Sequence, residues 1–145
     1  PASIETDIES EEIDQEDIDV VTDHFISGRF VYTLTSHLPI GAHVNVFLGG
    51  DSTTLLTNPQ VHFDSLYMTA APIGAGGIVI DTAQTAEQEI YLDSIDIKVL
   101  ENPVLYIGQE ILLDGSNGQT VKLTAADYLT ITGRIEVEYL FDGEF

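Results

Sequence analysis

The residues of this chain that could do chemistry are 25 acids, four histidines and a few glycine-rich loops. The segment Asp114-Gly115-Ser116-Asn117-Gly118 alternates oxygen-bearing positions in the manner of a calcium loop. An EF-hand loop also needs glycine at its sixth position and a bidentate glutamate at its twelfth. Gln119 and Ala125 stand there instead, so Asn117-Gly118 reads as a type I′ hairpin turn. A second oxygen-rich turn is Gly49-Gly50-Asp51-Ser52-Thr53. Asp51 and Asp114 are therefore the candidate cation-binding carboxylates, and Ca²⁺ is the one cofactor the sequence leaves open.

Other catalytic patterns fail on spacing. His24, His37, His43 and His62 share no metal spacing on one helix. His43 alternates with Val44 and Val46, which turns it to solvent or a polar seam. Ser36 and His37 are neighbours, and neighbouring side chains on a strand point to opposite faces. No G-x-S-x-G elbow is present. Gly74 to Gly77 leads into Ile78-Val79-Ile80, whereas a phosphate loop opens a helix. Paired carboxylates for glycoside hydrolysis meet in space, not in sequence, but sugar-processing clefts carry stacking aromatics. Here the six Tyr and six Phe fall mostly in phase with core residues, and Trp is absent. A non-enzymatic protein is expected.

Charge narrows the partners. The net charge is −21, and the cations are Arg29, Lys98, Lys122 and Arg134. Nucleic acids and anionic membrane surfaces require clustered Lys and Arg, so neither is an expected partner. No stretch of about 18 apolar residues is available to insert into a membrane. Without cysteine, disulfides, thiolate zinc sites and cysteine nucleophiles are all excluded. The chain opens on Pro1 with no basic segment followed by an apolar one, which favours removal of Met over that of a signal peptide, and a domain excised from a longer chain would open in the same way.

The elements that must position these residues fall into two regions. Residues 1–23 hold ten acids, no cation and no aromatic, the composition of a solvated arm. The apolar residues there are Ile4, Ile8, Ile13, Ile18, Val20 and Val21. Their spacing hints at a helical stripe that like charges oppose, and Ile18-Asp19-Val20 could be strand. Ordering such an arm requires its own domain, bound cations or a neighbouring subunit. The expectation is a neighbour, with Ile13, Ile18 and Val20 buried against it.

Residues 24–145 read as β structure. Strands are expected over 24–36, 42–48, 60–68, 77–82, 88–92, 104–113, 120–123 and 129–141, with a helical turn or two over 93–101. Turn signals recur, and no long helix allows a βαβ unit. The fold class is all-β: an antiparallel β-sandwich, jelly-roll or immunoglobulin-like, with an acidic N-terminal arm. Leu34, Val44, Val46, Ile107, Ile111, Ile135 and Val137 are the expected core.

Two functions fit. The first is a structural assembly subunit of a virion, extracellular filament or surface layer, whose arm contacts copies of itself or another structural protein. The alternative is an envelope or extracellular binding module, calcium-dependent or not, that recognises carbohydrate or protein through the loops at Gly49–Thr53, Ala71–Gly77 and Asp114–Gly118.

Overall fold

A computed structural model describes residues 3–5, 8–115 and 121–139, omitting the side chains of 3–5, 20–26 and 139. Two antiparallel sheets pack face to face in an all-β sandwich. The strands are β1 (Ser3–Glu5), β2 (Glu9–Glu12), β3 (Phe25–Ser36), β4 (Ala42–Gly49), β5 (Val61–Met68), β6 (Ala83–Gln84), β7 (Gln88–Leu92), β8 (Val104–Leu113) and β9 (Leu129–Tyr139). One helix, α1 (Gln15–His24), joins β2 to β3.

The first sheet runs β1/β2–β8–β4–β5. Strands β1 and β2 lie end to end on one side of β8, with Ile4 opposite Ile111 and Glu9 opposite Ile107. Strand β4 takes the other side of β8. In the second sheet β3 is central: β7 and β6 share one edge and β9 runs along the other, from Phe25↔Tyr139 to Ser36↔Leu129.

The core follows the period of two that each strand's apolar residues set. Leu34, Val44, Val46 and Ile111 are buried as expected, together with Phe63, Met68, Leu92, Ile97 and Val99. The Phe30 and Phe63 rings stack across the sheets, with centroids 4.5 Å apart. Ile107 and Ile135 are half-buried at the margin of this cluster.

Val137 departs from expectation: it is 36% exposed, because it sits near the end of the edge strand β9, beside an open cleft. The 77–82 strand is also corrected. That segment follows a 3-10 turn at Ala75–Gly77 and holds a lone bridge, Ile73↔Val79. The partner strand expected at 120–123 does not form over residues 121–123, since both sides of β8 are already taken by β4 and the arm. Asn117-Gly118 and Thr120 lie outside the described residues.

The stretch around Ile18-Asp19-Val20 is helix, not strand. Glu16 and Asp17 fall in the first turn of α1, where the helix dipole favours negative charge. Gln15 Nε2 donates to Asp19 Oδ1 at 2.9 Å, one turn on. Ile18 is 8% exposed and anchors the helix, which lies against the 3-10 segment Asp96–Glu101.

Candidate functional site

Three features of the surface gather polar or unfilled groups. The first is the seam between the arm and β8. All four residues of β2 are exposed, yet they pair in register with Val104–Ile107. The Ile13 N–H extends this ladder by donating to the Pro103 carbonyl at 2.9 Å. Main-chain bonds thus carry the attachment of residues 9–12. Burial begins only at Ile13, which packs half-buried against the core, and at Ile18. Ile8, another expected anchor, is 38% exposed. The side chains of Ile4, Val20 and Val21 lie outside the described residues.

The second feature is a cleft of about 740 Å³ at the side of the sandwich where β2 and β9 border the gap between the sheets. Val46, Leu48, Leu105 and Ile107 form one wall, and Phe30, Ile131, Ile135 and Val137 the other. The rim is acidic, made by Glu9, Glu11, Glu12, Asp14 and Asp17. Sequence reasoning missed this cleft, because its walls belong to strands distant in the chain. Its one visible trace was the density of acids between residues 9 and 17.

The third feature is the end of the sandwich where β3 turns into β4. Two imidazole–carboxylate pairs flank the 37–41 connection. His37 Nδ1 lies 3.0 Å from Asp127 Oδ1, and His43 Nδ1 lies 3.1 Å from Asp114 Oδ1. The Tyr128 ring stacks on His37, and the Tyr67 ring tilts against His43. Tyr67 and Tyr128 are both well exposed. Asp127 is nearly buried and also accepts the Thr124 N–H at 2.8 Å. Ser36 turns away from His37: its hydroxyl accepts the Leu38 N–H at 3.0 Å. The pair is therefore not a nucleophile and its base.

The two candidate cation ligands are separated. Asp114 sits at the start of β4, where its N–H donates to the Gly41 carbonyl, whereas Asp51 follows the far end of that strand. Eight residues of strand put them about 25 Å apart, at roughly 3.3 Å per residue. Asp51 Oδ1 accepts the Thr53 hydroxyl at 2.7 Å and the Thr53 N–H at 2.9 Å. These two bonds hold its carboxyl below the usual carboxylate range. Among the described residues, no three His, Asp or Glu side chains are placed to hold a metal ion. Of the loops expected to form a contact surface, Ala71 and Asp114 lie at the 37–41 end, with the Ala71 N–H bonded to the Leu38 carbonyl. Gly49–Thr53 lies at the other end.

The solvent face of the second sheet carries an ion-pair ladder. Arg29 lies 3.1 Å from Glu89 and 2.6 Å from Glu136. Arg134 lies 2.7 Å from Glu136 and 3.3 Å from Glu87. The hydrogen bond from Arg134, then that from Arg29, lowers the Glu136 pKa. No described helix is long and apolar enough to cross a membrane.

Comparison with known proteins adds no relative: no family model, no curated protein and no solved structure matches this chain.

Proposed function

We propose that this protein is a non-enzymatic structural subunit that assembles by lending its acidic N-terminal arm to the β8 edge of a neighbouring copy. The supporting observation is how residues 9–12 are held: in register on β8, with all four exposed. A main-chain ladder does not distinguish a chain's own strand from an identical one supplied by a neighbour. Exchange of such an element is a low-cost route to oligomers, and strand addition at a sheet edge supplies affinity through backbone hydrogen bonds. Exposed Asp14, between the ladder that ends at Ile13 and α1, is the natural hinge. With a charge of −21 on each copy, association requires salt or multivalent cations to screen repulsion. Virions, extracellular filaments and surface layers are settings in which such subunits operate.

The test is deletion of residues 1–12, followed by light scattering and electron microscopy from low to near-molar salt, with and without Ca²⁺. The full chain is expected to form oligomers of defined mass at high salt, and the shortened chain to lose them. A full chain that stays monomeric throughout contradicts the reading.

A second reading, a binding module for carbohydrate or protein, is favoured by the exposed Tyr67 and Tyr128 beside His43 and His37. Alanine at both tyrosines would abolish such binding and leave assembly intact.

A further inference from the structure

The acid-rimmed cleft has a property that arm exchange does not use. Strand β9 is an edge strand: among the described residues it pairs with β3 alone. Its other side borders the cleft. Ile131, Gly133, Ile135 and Val137 alternate along β9 toward the gap, and they face Leu105 and Ile107 of β8. The void is large enough to take several apolar side chains, and sites for ligands commonly measure about 300–1,000 Å³. Above it stand five carboxylates on Glu9, Glu11, Glu12, Asp14 and Asp17. The cation at this border, Arg134, is already paired with Glu136 and Glu87.

These three features select one kind of occupant. A free strand edge calls for an extended main chain. Apolar walls call for apolar side chains on one face of that chain. Glu9 and Glu11 stand opposite Ile107 and Leu105, so they point to the same side of their sheet as the apolar walls, and they call for positive charge on that same face. A second copy of this acidic chain would add like charge to the rim, and an anionic lipid or nucleic acid would do the same.

We propose that the cleft docks an extended segment of a partner protein, with apolar and basic residues on one face, which adds as a strand to the edge of β9 that the described residues leave open. On that face its apolar side chains fill the gap between the sheets, and its Lys or Arg side chains reach across to the carboxylates of the rim. Backbone pairing gives affinity and the alternating pockets give register, and the acidic field speeds encounter at low salt. The inference does not depend on arm exchange, because the arm occupies the same edge of β8 whichever copy supplies it.

The probe is the nine-residue peptide Val-Thr-Lys-Thr-Val-Thr-Lys-Thr-Val, whose Val and Lys share one strand face, labelled and titrated into the full chain by fluorescence anisotropy. The same peptide with Ser for each Val, equal in length and charge, is the control for mere attraction to an acidic protein. Expected are one-to-one binding at least tenfold tighter than the control and slowed hydrogen exchange at β9 amides. Binding should weaken at least tenfold in Glu9→Gln/Glu11→Gln/Glu12→Gln, and likewise in Val137→Lys. All four positions are exposed, so these variants should fold, which circular dichroism verifies. Equal binding of the two peptides, or unchanged exchange at β9, overturns the proposal.

Discussion

The Phe30 ring lies directly on the bare backbone of Gly133. A Cβ at position 133 would stand 2.6 Å from Phe30 Cε1 and 2.7 Å from Cζ, closer than nonbonded carbons tolerate. Phe30 in turn stacks on Phe63 of the opposite sheet, so it cannot withdraw without disturbing the contact between sheets. Gly133→Ala is expected to destabilise the fold by about 1–3 kcal/mol, because the Phe30 ring must shift off Phe63 to admit the added methyl group. Gly115→Ala, where no atom stands within 4 Å, is the control and should change stability little. Urea unfolding of both variants checks this.

A contrast within the expected core tests what burial is worth. Leu34 is 1% exposed on the central strand β3, whereas Val137 is 36% exposed on the edge strand β9. Leu34→Ala should cost about 2–5 kcal/mol, and Val137→Ala under about 1 kcal/mol. Thermal melts that rank the two the other way would place the packed interior elsewhere.

The sequence made the sandwich legible because its signals are local. Alternation in 42–48 placed Val44 and Val46 in the core, and Pro39-Ile40-Gly41 marked the break between β3 and β4. What it missed depends on contacts between distant residues. The arm's strands were invisible because Glu9-Ser10-Glu11-Glu12 has no β propensity of its own; the edge of β8 imposes the conformation. Helix α1 was obscured by its charges, although Glu16 and Asp17 sit where the helix dipole favours them. The segment 77–82 has the β-branched residues of a strand, yet among the described residues it joins neither sheet and makes only the bridge from Val79 to Ile73. The His37–Asp127 and His43–Asp114 pairs join positions far apart in the chain, and spacing rules within one helix could not find them.

A β-bulge gives the third prediction. Between Val44↔Leu66 and Val46↔Phe63, Asn45 stands opposite both Asp64 and Ser65. Ser65 takes a left-handed φ of 54°. The Asn45 carbonyl oxygen, 7% exposed as a residue, accepts the Ser65 N–H at 2.8 Å. Asn45→Ala strands that N–H and should cost about 1–3 kcal/mol. Ser65→Val should cost about 2 kcal/mol, because β-branched residues fit this region poorly. Ser65→Gly should be tolerated. Chemical denaturation of the three variants settles the order.

The fourth prediction concerns acid. Hydrogen bonds from Arg134 and Arg29 hold Glu136 below the usual carboxylate range in the folded protein. A lowered folded-state pKa means that the contribution is complete above the unfolded value, about 4.3. It is lost as pH falls through the folded value. Glu136→Gln should therefore destabilise the protein at pH 7, and the gap between variant and parent should close toward pH 3. A gap that stays constant with pH would show that the ladder contributes through packing alone.

The most direct test of arm exchange uses the absence of native cysteine. Ser10 of β2 stands opposite Tyr106 of β8, and opposed residues on antiparallel strands have Cα separations of about 4.5–5.5 Å, which a disulfide can bridge. Ser10→Cys/Tyr106→Cys can form this bond within one chain or between two, depending on whose arm occupies the edge. The measurement is non-reducing electrophoresis after oxidation at rising protein and salt concentration. Exchange predicts dimers and longer covalent ladders that grow with both concentrations and collapse on reduction. Monomers cross-linked only within themselves, under every condition, would contradict it.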